Sequence, residues 1–357
     1  MRGRVVAMAL TAVLGAAGCA SASPVDPEPA ALSTTPSATH ATPTPGTLPT
    51  RTPATPTRPP NPLRLSVLGD VGATTESARV LAAVGARGDD ATLVVGDLSY
   101  AAPGSEARWC RSVTRALGST HPIEIVSGNH EDDGPDGSIA AFEACLPNRL
   151  PGLVGRYGRE WYVDLPAEDP LVRVVMISPA LDFGHGPWSY ASGTEHYRWT
   201  EAALRGARRA GIPWVVAGMH MPCLSVGVYA CEPGADLLNL LVRERVDLVV
   251  TGHEHMYQRT HRLGLGSACP VVVPGRYDAG CVVASGGTTV VTVGTGGHEL
   301  RDRNPADPEA RYFAAVSARD RDAAFGFLAV DVTDRHLVAR FEPAAGSTFT
   351  DEVRLTR

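Results

Sequence analysis

The sequence predicts a layered α/β fold, and three observations predict it. Through roughly the first two thirds of the stretch beyond residue 62, short apolar runs alternate with segments whose apolar residues recur at three- and four-residue spacing, as a sheet covered by helices requires. Five of the early apolar runs end directly in a polar cluster that contains glycine. The last third holds short β-type runs between Gly-rich and Asp-rich turns, which predicts antiparallel pairing there.

In chain order, the early strands are predicted at 65–68, 92–95, 123–126, 214–217 and 247–250, each a compact run rich in Val, Leu or Ile. Helices are predicted over 76–86, 107–117, 194–210 and 235–245, each with one apolar face to lay on a sheet. Later strands are predicted at 271–273, 289–293, 325–332, 337–342 and 352–355. With 357 residues and 44% hydrophobic composition, the chain can bury a substantial core. Its net charge of −6 leaves no basic excess to neutralise phosphates, which excludes nucleic acid as a structural partner.

The N-terminus reads as an address. Arg2 and Arg4 precede an apolar core from Val5 to Ala17 that is too short for a stable membrane span, and Ala16-Ala17-Gly18-Cys19 follows. Residues 1–19 resemble a bacterial lipoprotein signal with Cys19 as the lipidated residue, which would tether the chain to a membrane through acyl chains alone; an ordinary cleaved signal is the alternative. Both place the protein outside the cytoplasm. Residues 20–62 are dominated by Pro, Thr, Ser and Ala, too polar and too poor in large apolar groups to offset their ordering entropy, and read as a disordered spacer. Residues 63–357 form the folded domain of this reading. Beyond Cys19 six cysteines remain, which permit fifteen pairings. Sequence proximity favours Cys110 with Cys145, Cys223 with Cys231 and Cys269 with Cys281, and export makes disulfides the expected state.

The clusters beyond the five early strands carry the chemistry. They are Asp70-Val71-Gly72, Gly96-Asp97-Leu98-Ser99-Tyr100, Gly128-Asn129-His130-Glu131, Gly218-Met219-His220 and Gly252-His253-Glu254-His255. In an open α/β sheet ligands gather beyond the carboxyl ends of the strands, so five distant segments would converge on one place. Each motif alone is weak. Their order and spacing together resemble the purple acid phosphatase branch of the calcineurin-like metallophosphoesterases, from about residue 65 to the C-terminus, and Gly294-Thr295-Gly296-Gly297 and Phe349-Thr350-Asp351 are also similar to that family.

The resemblance implies a four-layer α/β/β/α sandwich with two mixed β-sheets and two metal ions at one edge. One ion would be held by Asp70, Asp97, Tyr100 and His255, the other by Asp97, Asn129, His220 and His253, with Asp97 shared. Carboxylate and phenolate oxygens suit Fe(III), while imidazole and amide groups suit a divalent Fe, Zn or Mn. Where the wider superfamily has Asp-x-His, this chain has Gly72, and Tyr100 is present instead, the mark of the purple branch. The implied reaction is hydrolysis of a small phosphate monoester by a metal-bound hydroxide. His130 would stabilise charge or protonate the leaving alkoxide, with Glu131 or Asp132 orienting its imidazole.

Tyr257 and Arg259 would support the ligand loop, and the five tryptophans read as packing. The chain departs from plant-type members in one respect: the stretch from Met221 to Cys231, where a second substrate-side histidine is common, has none. His185 and His196 read as surface loop residues, and His121, His261, His298 and His336 as structural or exposed. Two other readings use the same residues: a phosphodiesterase or nucleotide pyrophosphatase, and a surface binding module without chemistry.

Overall fold

The computed structural model describes residues 62–132 and 137–357. The signal segment with Cys19, the spacer through residue 61, and Asp133 lie outside the described residues. Along the chain come β1 (Leu63–Leu68), α1 (Thr75–Arg87), β2 (Ala91–Val95), α2 (Glu106–Leu117), β3 (Ile123–Val126) and α3 (Ile139–Cys145). Next are β4 (Val154–Arg156), β5 (Glu160–Leu165), β6 (Val172–Met176), α4 (Glu195–Arg209), β7 (Trp214–Gly218), α5 (Ala235–Arg243) and β8 (Leu248–Thr251). The last part adds β9 (Tyr257–Thr260), β10 (Thr289–Val293), β11 (Phe313–Ser317), β12 (Gly326–Val332), β13 (His336–Pro343) and β14 (Asp351–Thr356).

The strands form two mixed sheets, ordered β14-β13-β12-β1-β2-β3 and β11-β9-β10-β8-β7-β6-β5-β4. In the first, β1, β2 and β3 run parallel and β12 pairs antiparallel with β1. In the second, β6, β7, β8 and β10 run parallel. Because side chains alternate along a strand, each sheet has two apolar faces to cover. Leu65, Val67, Leu93 and Val95 of the first sheet meet Val174, Trp214, Val216, Val250 and Val291 of the second in a shared core. The other faces carry helices. Leu68, Val94 and Ile125 pack on Val80, Val84, Trp109 and Val113, while Val175, Val215 and Val249 pack on Leu204, Leu237 and Leu241. The result is helix, sheet, sheet, helix, the four layers expected.

The structure corrects the sequence reading in three places. The last third is not wholly antiparallel: β10 pairs parallel with β8, in register from Thr289 opposite Leu248 to Thr292 opposite Thr251, so its carboxyl end lies at the same edge as theirs. The run 271–273 is not a strand. The Asn239 side chain takes the place of a neighbouring strand, accepting from the Val272 N–H at 2.8 Å and donating to the Val272 carbonyl at 2.9 Å. Finally, β4, β5, β6, β9 and β11 and helix α3 were not expected. In β6 the apolar pattern is broken by Arg173, which folds in as a bidentate pair with Asp164 at 2.6 and 2.7 Å over the Tyr162 ring.

Disulfides join Cys110 to Cys145, Cys223 to Cys231 and Cys269 to Cys281. The first ties α2 to α3, and the second closes a loop after β7. Among the described residues no helix is long and apolar enough to cross a membrane.

At the end of the first sheet Asp351 joins the two sheets, taking a 2.7 Å hydrogen bond from Tyr257 and a bidentate pair from Arg259 at 2.6 and 2.8 Å. Burial pushes the Asp351 carboxyl up, but the bonds from Arg259 and Tyr257 outweigh it and hold it below the usual carboxylate range. Its stabilisation is therefore complete above the unfolded value near pH 4 and is lost as pH falls through the depressed folded value. Asp351→Asn should cost about 2 kcal/mol at pH 7 in urea unfolding, with the gap to wild type closing in acid. A gap that stays constant down to pH 2 would remove the ion pair as its source.

Candidate metal centre

The clusters after β1, β2, β3, β7 and β8 all emerge at one edge of the sandwich, because these strands point the same way within each sheet. Four of the predicted ligands have backbones in the left-handed region: Asp70 (φ 57°), Asp97 (52°), Tyr100 (53°) and His253 (67°). A side chain is disfavoured there, so the loops need fixing by their neighbours. The β1 and β2 loops do this for each other, through Val71 N–H to the Asp97 carbonyl and Gly72 N–H to the Leu98 carbonyl, both at 2.9 Å. Gly128 lies so close to Asp97 that a Cβ would strike its carboxylate and backbone, which requires glycine at that point.

The seven side chains named from the motifs come together. The Tyr100 hydroxyl lies 2.9 Å from Asp70 Oδ1, 2.8 Å from Asp97 Oδ2 and 3.0 Å from His255 Nε2. On the other side, His220 Nε2 lies 3.1 Å from Asn129 Oδ1, 3.2 Å from His253 Nδ1 and 3.2 Å from Asp97 Oδ1. Asp97 thus turns one oxygen to each set. Within each set the His and Asp donor atoms lie within 4.8 Å of one another. Asp70, Asp97, His220, His253 and His255 are all buried.

Such a cluster is electrostatically expensive with protons alone. Burial pushes Asp70 and Asp97 up, but the hydrogen bond and charge of His255 hold Asp70 below its ordinary range, and His220 does the same for Asp97. Burial lowers His220, yet the Asp97 charge carries it up to about 9, while burial and then the His220 charge push His253 down to about 3. Burial and the two carboxylates raise the Tyr100 phenol well above its usual value. His220 Nδ1 lies 2.9 Å from the Val95 carbonyl, which fixes a proton there, and its Nε2, protonated beside Asp97 when no cation is bound, faces Asn129, His253 and Asp97. A cation in place of that one proton would turn the Nε2 lone pair and the acceptor atoms of Asn129, His253 and Asp97 to a common centre. The donor types fit: an oxygen-rich set of Asp70, Asp97 and Tyr100 with His255, and a set richer in nitrogen with His220, His253, Asn129 and Asp97.

His130 lies on the open side, its ring 4.4 Å from that of Tyr100 and its Nε2 3.8 Å from Asp97 Oδ2. Glu131 does not have the place expected for it beside that imidazole. It is fully buried, and its carboxylate accepts from the backbone N–H groups of Asp97 at 3.0 Å, Leu98 at 2.6 Å and Gly128 at 3.1 Å. Burial and then the Asp97 charge push its carboxyl up, while the amide bonds from Leu98 and Gly128 favour its ionised form. Its carboxylate thereby joins the β2 and β3 loops, since it accepts from amides of both.

Tyr257 and Arg259 reach Asp351 rather than the cluster. His196 packs on Trp188 at 4.0 Å and lies 3.1 Å from Glu160, and His185 is exposed. Three residues at the cluster escaped the sequence reading. His298, expected to be structural or exposed, stacks on Tyr100 with ring centroids 3.6 Å apart and planes within 5°. Tyr229 lies on His253 at 3.8 Å, and Arg301 donates to the Tyr229 hydroxyl at 2.7 Å. The signals were indirect: Tyr229 lies in the stretch noted for lacking a histidine, and His298 and Arg301 come after the Gly-rich segment beyond β10.

Comparison with known proteins bears on this arrangement. The calcineurin-like phosphoesterase model matches residues 63–257. Purple acid phosphatase 21 of Arabidopsis thaliana is 28% identical over 277 residues, covering 74% of this chain and 56% of its own length. The Fe(3+)-Zn(2+) purple acid phosphatase 12 of the same plant is 27% identical over 299 residues, covering 78% and 58%. The chain spans little more than half the length of these curated relatives. A purple acid phosphatase from yellow lupin (Lupinus luteus) seeds shares the fold with a TM-score of 0.61 at 19% identity, over 83% of this chain and 54% of that one. The Plasmodium protein GAP50, described as an anchor in the inner membrane complex, shares it at 0.54 and 12% identity, over 83% and 90%, so the fold does not itself name an activity. With its family model matching more than half of its residues and its curated relatives among the purple acid phosphatases, the chain belongs to the calcineurin-like phosphoesterase family.

Proposed function

We propose that the protein is an exported phosphohydrolase that uses two metal ions to cleave phosphate monoesters, in keeping with the phosphatase names of its relatives. The observation that carries this reading is Asp97, whose two oxygens face two separate donor sets at 2.8 and 3.2 Å. Asp70, Tyr100 and His255 would complete a site for Fe(III), and Asn129, His220 and His253 one for divalent Fe, Zn or Mn. When bound, such a pair supplies a nucleophile from water below neutral pH and polarises phosphoryl oxygens. The chain's own residues do the rest. Glu131 holds the loops of Asp97 and Asn129 in register, and His220 keeps its lone pair forward through Val95. His130, on the open side, is placed to give a proton to the departing alkoxide. Three disulfides support the export reading, since such bonds persist in oxidising compartments.

The test is metal analysis of natively exported protein with kcat/KM for p-nitrophenyl phosphate and its bis-ester. Two metals per chain, a visible phenolate-to-iron absorption and preference for the monoester are expected. Tyr100→Phe should bleach the absorption while leaving the divalent ion in place. A chain that binds no transition metal sinks the proposal, and dominance of the diester moves it to the phosphodiesterase reading.

A further inference from the structure

We infer that Arg301, held in place by Tyr229, is a specificity-determining residue that selects the doubly charged phosphate of a monoester at the mouth of the metal centre. The inference rests on the proposed function and names the group that would separate the two ester classes.

Arg301 belongs to the segment delivered to the site by the parallel strand β10, and its backbone N–H donates to the His255 carbonyl at 2.9 Å. Its guanidinium donates through Nη1 to the Tyr229 hydroxyl at 2.7 Å, and Nε lies 3.5 Å from Glu299. The Arg301 side chain is 31% exposed, so its head is neither buried nor free of the protein. Tyr229 is fixed from two sides. Its ring packs on His253, and its backbone N–H donates at 2.8 Å to Glu254, the residue between His253 and His255. The same carboxylate takes the Ser225 hydroxyl at 2.9 Å, and Val226 and Ser225 donate their N–H groups to Gln258 and Glu309, both at 2.8 Å. Gly227 lies against Glu254 so closely that no side chain fits, and Cys223–Cys231 closes the loop. The loop that carries Tyr229 and the loop that carries two candidate ligands are therefore one packed unit.

The chemistry comes from the guanidinium. It presents five N–H groups in one plane, of which Tyr229 takes one and Glu299 approaches another, leaving donors for an oxyanion. A monoester dianion presents three non-bridging oxygens, whereas in a diester one of these carries a second alcohol and no charge. A guanidinium at the rim forms a charge-assisted bond with the first and is left facing a neutral substituent by the second. This stretch of the chain has Tyr229 and no histidine, and Arg301 adds to the rim, beside His130, a positive charge that does not titrate in the working range.

The test uses the metal-loaded full chain with wild type, Arg301→Ala, Arg301→Lys and Tyr229→Phe. Three quantities are read: kcat and KM for p-nitrophenyl phosphate and for its bis-ester, the dissociation constant of inorganic phosphate by equilibrium dialysis, and metal content. Arg301→Ala should lower the monoester-to-diester ratio about tenfold, through KM of the monoester, and weaken phosphate binding by about as much at unchanged metal content. Arg301→Lys should recover part of the loss, and Tyr229→Phe, which keeps the ring on His253, should move both readings the same way by less. If Arg301→Ala sheds its metals, Tyr229→Phe decides. Ratio and phosphate affinity within twofold of wild type at full metal load, or equal losses for both esters, would overturn the inference. A wild type that binds phosphate through Arg301 yet hydrolyses neither ester supports the anion site and sinks the esterase reading alone.

Discussion

Asp97→Asn should empty both halves of the centre at once, with metal content falling from two to below one per chain and kcat/KM falling about a thousandfold, or roughly 4 kcal/mol of barrier. Each Asp97 oxygen faces a different donor set, Oδ2 toward Tyr100 and Oδ1 toward His220. An asparagine of the same shape keeps one oxygen but turns an N–H₂ group toward the other set, where it meets groups waiting for a cation. The loss of charge reaches further, since Asp97 is the main favourable charge on buried His220. Asn129→Ala, by contrast, removes a donor from one set only and should release one ion. Metal analysis of the two variants separates a shared ligand from two independent sites. An Asp97→Asn protein that keeps both metals and works within tenfold of wild type would refute the bridging role.

Glu131→Gln should fold, bind metal more weakly and lose about a hundredfold in kcat/KM, with the pH profile of activity unmoved. The carboxylate satisfies three buried backbone N–H groups with two oxygens, and a glutamine offers one oxygen and a donor where donors already converge. Glu131→Ala leaves all three amides without that partner and should cost about 3 kcal/mol or more in denaturant unfolding. The pH profile is the reading that a proton-carrying or imidazole-orienting role would shift and a positioning role would not. A displaced limb of that profile would restore Glu131 to the side of His130, where the sequence had put it.

That misplacement shows how far the sequence reaches. The motifs lie directly after strands, and parallel strands deliver the loops beyond their carboxyl ends to one edge, so five distant segments could be grouped from linear order, while the seven ligands among them came from the family resemblance. The layered α/β plan was legible because apolar runs and amphipathic stretches report which face each element buries, as Trp214 and Val216 face the other sheet while Val215 and Ala217 face helices; the count of four layers came from the family resemblance. Glu131 was misread because adjacency in sequence says nothing of which way a side chain turns. His130 goes to the open side and Glu131 to the floor.

The sequence by itself determined the layered fold and the convergence of five segments, because these depend on local patterns repeated after each early strand, and the ordered motifs together determined the family and, through it, the set of groups that meet. Only the tertiary structure decided the direction of β10, and with it the delivery of His298 and Arg301 to the site. It also decided that a disulfide-closed loop anchored on Glu254 would lay Tyr229 over His253. These residues have no periodicity and no motif. Their positions come from long-range packing between loops, which is settled only when the whole edge of the sandwich has formed.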